Sequence, residues 1–213
     1  ADVVIATMAK FRDLVERHGL QAADCGMVDL ELHRPIWRTA KHISELADVA
    51  QGRILDQYPT VAKGFMNACK NCDMIIAMGV TSGFGLTLAE YYGVPCWVVA
   101  LAPEQPTRAF SPPNTPTSTI GLLNIVRWYW HWGRLGLAAR RGLRGRGNPE
   151  QDFRTQTLGL KPLGGGKRIR QVRSIPKICA FSPTLVPKPA DWPLNCTITG
   201  SWFLDGDEKA PAA

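Results

Sequence analysis

The stretch that decides the fold runs from Asp73 to Phe110, DMIIAMGVTSGFGLTLAEYYGVPCWVVALAPEQPTRAF. Met74 to Met78 is a short apolar run without charge, the pattern of a strand covered on both faces. Gly79, Gly83 and Gly85 break it with a flexible loop. Leu86 to Tyr92 predicts a short helix, and Gly93 closes it as the C′ residue. Cys96 to Leu101 is a second apolar run, and Pro103 and Pro106 end it in a loop carrying Thr107, Arg108 and Phe110. Strand, loop, helix, strand, loop is a βαβ unit. Ligands of open α/β sheets bind beyond the carboxyl ends of such strands, so Gly79–Gly85 and Pro103–Phe110 are expected side by side on one rim.

Working outward, Val3 to Thr7 is β-branched and apolar, Ala9 to His18 has apolar residues at helical spacing with Gly19 as the stop, and Leu20 to Cys25 reads as another short strand. This is a second βαβ unit and favours an α/β fold built on a parallel sheet. Ala40 to Asn71 has a helical pattern, read as two helices broken near Gln51–Gly52 or Tyr58–Pro59, with Val61, Ala62, Phe65 and Met66 on one stripe. Ser111 to Thr119 is a proline-rich irregular loop, Ile120 to Ala139 a helix, and Gln151 to Leu158 a short one. Pro162 to Gly166 reads as a turn, and Pro176–Phe181 and Cys196–Thr199 as the last strands.

At 213 residues, with 45% hydrophobic and 20% charged, the chain can bury one sizeable core. Its net charge of +7 is concentrated: Ile120 to Ser174 holds 12 Lys or Arg against Glu150 and Asp152. The six cysteines are scattered, which suits reduced thiols of a cytosolic protein better than a disulfide framework. No secretory signal and no apolar run of spanning length is present. The chain opens without Met on a strand-like run, as expected for a fragment lacking its true N-terminus.

Three blocks carry a family resemblance. They are Val3–Leu20, VVIATMAKFRDLVERHGL; Pro106–Phe110, PTRAF, after GVPCWVVAL; and, most specific, Phe181–Asp205, FSPTLVPKPADWPLNCTITGSWFLD. They resemble the acceptor-side domain of the GT-B glycosyltransferases, in particular the sterol 3-beta-glucosyltransferases and the bacterial glycosyltransferases that act on macrolide-type acceptors. The resemblance implies a Rossmann-like parallel sheet with helices on both faces, the N-terminal half of a GT-B fold with its first strand missing. It implies residues 1–204 as an acceptor-binding domain and 205–213 as the start of an interdomain linker. The activity implied is inverting transfer of a hexose from a UDP-sugar to a sterol or similar lipid hydroxyl, without a metal or cofactor. The alternative is a non-catalytic lipid-binding or docking module that works with a separate donor-binding subunit.

Inversion needs a general base for the acceptor hydroxyl, which the family carries in a glycine-rich loop after its first strand. That loop and the donor-binding domain are absent from this chain, so no catalytic residue is assigned and the chain alone is expected to be inactive. The family's His after the second strand is Met8 here, so the role of that His does not transfer. Acceptor-binding residues implied are Met8, Gly79, Ser82, Gly83, Phe84, Thr107, Arg108 and Phe110.

Each candidate has a plainer alternative. The run MGVTSGFG is either a cleft loop or an ordinary turn with Ser82 capping a helix; it matches neither a GxxxxGK[ST] nor a GxGxxG phosphate loop. Phe110 either offers apolar surface to a flat lipid or anchors its loop in the core. Trp128, Trp130 and Trp132, with Arg140 and Arg141, read either as a membrane-surface segment of a peripheral cytoplasmic protein or as a helix packing its indoles inward. No RNA or DNA fold signature accompanies the arginines, so no nucleic-acid partner is expected. Cys69-Lys-Asn-Cys72 lacks the two further ligands of a zinc site.

Overall fold

The computed structural model describes residues 1–27, 57–112, 115–142 and 148–204. Among the described residues every strand pairing is parallel. β1 (Val4–Thr7) pairs with β2 (Gln21–Asp24), with Val4 opposite Gln21 and Thr7 opposite Asp24. Between them come a 3₁₀ turn, Ala9–Phe11, and α1 (Arg12–Arg17), which Gly19 ends at φ 71°. A second sheet runs in the order β3 (Ile75–Met78), β4 (Cys96–Ala100), β5 (Lys177–Cys179), β6 (Cys196–Ile198). α2, described over 57–68, precedes β3. α3 (Ser82–Tyr92) crosses from β3 to β4. The route from β4 to β5 carries α4 (Gly121–Gly142), α5 (Pro149–Asp152) with a π turn at Phe153–Thr157, and α6 (Gly165–Ser174). The α/β reading with parallel sheets therefore holds.

Three local readings change. α3 begins at Ser82, so Gly83 and Gly85 lie inside a helix and not in a loop. Gly85 sits where helix and strand touch: a Cβ there would meet Ala77 Cβ at 2.4 Å. The glycine thus serves close packing, which the spacing alone did not distinguish from flexibility. Residues 165–174 form a helix that begins inside the turn expected over Pro162–Gly166. Among the described residues, β3 and the start of β4 also leave one face open. Ile75 and Ala77 turn toward α3 and are buried, while Ile76 is 57% exposed and Met78 and Trp97 are exposed as well. An apolar run reads the same whether one face or two are covered, because alternation shows only when the open face is polar. The expected helices between 40 and 56 lie outside the described residues.

The main core joins both sheets through α2 and α3. Val61, Ala62 and Phe65 of α2 pack with Ile75, Phe84, Leu88 and Ala89, and Cys25 after β2 belongs to the same cluster. α2 reaches Cys25 so closely that a Cβ on Gly64 would lie 2.4 Å from the Cys25 carbonyl oxygen. The Phe84 ring stacks on Tyr58 at 4.6 Å and tilts against Phe65 at 5.2 Å. A smaller core lies around the carboxyl ends of β4 and β5: Ala100, Cys179, Phe181, Trp192 and Cys196, with Phe110, Val186 and Ile198 against it.

Candidate functional site

Because β3 and β4 run parallel, with Met78 opposite Val99, the segments that follow them leave the same end of the sheet. The rim expected from the sequence therefore forms. On the β3 side, Gly79 adopts φ 53° and opens a 3₁₀ turn, Gly79–Thr81. A non-glycine residue is strained there. The Thr81 hydroxyl donates to the Met78 carbonyl at 2.8 Å and accepts from the Met78 N–H at 3.3 Å. The turn is thus closed by Thr81, with Ser82 as the first residue of α3 instead of its cap.

On the β4 side one carboxylate organises the loop. Asp191 accepts from Thr107 Oγ1 at 2.6 Å through one oxygen and from the Arg108 N–H at 2.7 Å through the other. Thr107 Oγ1 in turn accepts from the Ala109 N–H at 3.0 Å. Partial burial alone would raise the Asp191 pKa, but the bonds from Thr107 and Arg108 outweigh it and hold the carboxyl below its usual value. From behind, α4 holds the same loop. Fully buried Asn124 donates to the Arg108 and Ser118 carbonyls, both at 2.9 Å, and Trp128 Nε1 donates to the Phe110 carbonyl at 2.9 Å. Arg127 Nη1 donates to the Pro116 carbonyl at 2.6 Å.

Among the candidates, Gly79 and Arg108 stand exposed on the rim, and Ser82 and Gly83 are half-buried beside Gly79. Met8 is half-buried at the carboxyl end of β1, where the Phe11 N–H bonds its carbonyl at 3.0 Å. Phe84 turns into the core, since it shares the inner face of α3 with Leu88. Thr107 is buried and spent on Asp191, so its contribution is to hold the loop. Phe110 is half-buried, edge-on to Trp128 at 6.4 Å and Trp192 at 6.3 Å, the anchoring arrangement. Trp128, expected at a membrane surface, is only 2% exposed and packs inward. Trp130 is 70% exposed and Trp132 half-buried. The side chains of Arg140 and Arg141 lie outside the described residues.

Sequence reasoning passed over Asp191, Asn124 and Arg154. The Asp191-Trp192-Pro193 triplet carried a signal, Asp191 being one of the two acids of the most specific block. Arg154 had none: it is 1% exposed in a basic segment, yet its Nη2 donates to both Glu90 carboxylate oxygens at 3.0 Å. Among the described residues, a cleft of about 310 Å³ by Leu86, Glu90 and Gln171 and another of about 350 Å³ by Lys63, Asp152 and Phe153 both lie off the rim. Among the described residues no group of three or more His, Cys, Asp or Glu could hold a metal ion, and no helix is long and apolar enough to cross a membrane. All six cysteines are free. Burial, then the neighbouring Cys72 and Cys96, push Cys69 up to about 11, which keeps the CxxC thiol protonated.

The chain is similar along its length to a sterol 3-beta-glucosyltransferase of Leptosphaeria maculans, 26% identical over 218 residues that cover 98% of this chain and 14% of the relative. It is 28% identical over 211 residues to a UDP-sugar-dependent glycosyltransferase 52 of Dictyostelium discoideum, covering 95% of this chain and 12% of that protein. In three dimensions it resembles the calicheamicin glycosyltransferase CalG4, with a TM-score of 0.57 at 11% identity, over 98% of this chain and 48% of the other. The chain is similar in sequence to sterol 3-beta-glucosyltransferases and other UDP-sugar-dependent glycosyltransferases, and it shares the fold of a calicheamicin glycosyltransferase. It spans roughly an eighth of the length of these curated relatives. No protein-family model matches it. Within that fold this chain's β3 and β4 run parallel, with the Asp191-clamped loop at the carboxyl end of β4.

Proposed function

We propose that this chain is the acceptor-binding part, residues 1–204, of an inverting UDP-sugar-dependent glycosyltransferase, with 205–213 opening the linker to a donor-binding domain. The acceptor is a sterol or similar lipid alcohol, the donor a UDP-hexose, and the setting the cytoplasm. One observation carries this reading: the match to a sterol glucosyltransferase extends over 98% of the chain, and the parallel sheet puts the two matched rim segments at one end. Chemically the rim suits an acceptor better than a nucleotide. Its exposed side chains include Met78, Leu101, the acid Glu104 and the cation Arg108, and the Asp191 carboxylate is taken up by Thr107 and Arg108. A flat apolar alcohol would rest against Met78 and Leu101. Arg108 would steady the loop or face the donor phosphates. The base and most of the nucleotide site belong to other parts of the protein, and the donor serves as substrate with no cofactor needed.

The exposed Trp202, Phe203 and Leu204 after β6 favour a second reading, in which the chain docks a separate donor-binding subunit through apolar surface. Incubation of the full-length protein with UDP-glucose and a sterol, read by mass spectrometry, separates the two. Steryl glucoside from the full-length protein and none from the 213-residue chain is expected. Turnover by the chain alone, or no glycoside from the full-length protein with any sterol or macrolide acceptor, overturns the proposal.

A further inference from the structure

α4 is amphipathic in the inverted sense. Roughly 100° per residue places Leu122, Leu123, Val126, Tyr129 and Trp130 on one stripe, and all five are exposed; Leu122 is 63% and Trp130 70% exposed. The opposite face carries the polar Asn124, fully buried, beside Trp128. A surface helix ordinarily turns its apolar stripe to the core and its polar residues to water. Here the inward face is used up in holding the loop after β4, through Asn124 and Trp128. The outward side chains, with exposed Ile120 just before the helix, present on the order of several hundred Å² of apolar surface, the size at which a surface patch is often functional.

We propose that this outward face of α4 docks on an anionic lipid bilayer. The charge around it selects that occupant. α6 lies alongside, joined by Arg173 Nη2 donating to the Tyr129 hydroxyl at 2.7 Å. Its Lys167, Arg170 and Arg173 are exposed. Arg134, Arg140 and Arg141 fall in the later turns of α4, and Ile120–Ser174 holds only Glu150 and Asp152 as acids. Exposed leucines, an indole and a phenol flanked by cations match the interfacial layer of a membrane, where rings settle among headgroups and Lys or Arg meet acidic lipids. An acidic protein groove or a second copy would have to bury the same face. The second copy is disfavoured because two basic flanks would meet.

The consequence is geometric. Asn124 and Trp128, on the inner face of α4, bond the Arg108 and Phe110 carbonyls, so docking through the outer face holds the rim loop about one helix diameter, roughly 10 Å, from the headgroup layer. Only the use of that proximity rests on the glycosyltransferase reading; binding itself requires no sugar donor.

The 213-residue chain is sedimented with phosphatidylcholine vesicles, with and without phosphatidylserine, at low and high salt. It is expected to bind the phosphatidylserine vesicles and to release with salt. Val126→Glu with Trp130→Glu, at exposed positions that leave the fold intact by circular dichroism, is expected to cut binding at least tenfold. Lys167→Glu with Arg170→Glu should remove the preference for phosphatidylserine. Brominated lipid should quench fluorescence in the wild type and much less in Trp130→Phe. No sedimentation at low salt overturns the proposal, as does full binding by the Val126→Glu/Trp130→Glu protein. A dimer in gel filtration that Trp130→Glu dissolves, without vesicle binding, assigns the face to a second copy instead. If the chain binds vesicles and the full-length protein makes no glycoside, the docking surface stands and the enzymatic reading falls.

Discussion

Replacing Asp191 with alanine should release the loop that carries Thr107, Arg108 and Phe110 while leaving the sheet formed. The carboxylate accepts at 2.6 Å from Thr107 and at 2.7 Å from Arg108. Hydrogen bonds to a charged group contribute about 1.5–3 kcal/mol each when shielded. Asp191 is an exposed residue, so solvent screening brings the pair down to about 2 kcal/mol together. Buried Thr107 then loses the acceptor for its hydroxyl, which adds about 1 kcal/mol. For a chain of this length a loss of 2–3 kcal/mol lowers the melting temperature by roughly 5–10 °C. Asp191→Asn offers one oxygen to two donors and should fall between.

The carboxyl is held below its ordinary value near 3.8. Its stabilisation is therefore complete above that value and fades as pH falls through the lower folded-state pKa, so Asp191→Asn should flatten the acid end of the stability profile. Hydrogen exchange read by mass spectrometry locates the effect. Peptides spanning 103–112 should lose protection in Asp191→Ala, and those spanning β3 and α3 should not. Unchanged exchange in 103–112, or equal loss across the sheet, would refute the clamp.

Other expectations concern packing and thiols. Gly64→Ala forces a Cβ to 2.4 Å from the Cys25 carbonyl oxygen and should cost about 2 kcal/mol or more by overpacking. Gly133→Ala, in α4 with nothing within 4 Å of the added Cβ, should stabilise by about 0.5–1 kcal/mol. Urea denaturation of the two variants checks both signs. Phe84→Ala should cost about 3–5 kcal/mol because the ring packs on Tyr58 and Phe65; a loss of acceptor affinity at unchanged stability would return Phe84 to the cleft. Cys69, pushed up to about 11, should react with iodoacetamide at pH 8 far more slowly than an exposed free thiol, as peptide mass spectrometry would show.

The sequence alone determined the parallel α/β class and that the loops after β3 and β4 share one end of the sheet. Short apolar runs separated by Gly, a helical stripe and Pro leave few arrangements other than βαβ, and parallel pairing then fixes which loops share a rim. Gly93 was legible as a helix stop because its φ of 70° is a backbone property tied to that residue type. What only the tertiary structure decided concerns direction and partnership. Gly85 read as flexible until its contact with Ala77 was seen, and Phe84 as a rim residue until its helix was found to start at Ser82, four residues before the expected Leu86. Of the tryptophans near the arginines, Trp128 is inside and Trp130 outside, a choice set by which side of α4 grips the loop. Asp191 bonds residues 83 and 84 positions away. Contacts of that span leave no periodicity in a chain; they depend on where the folded backbone brings a carboxylate within reach of two donors.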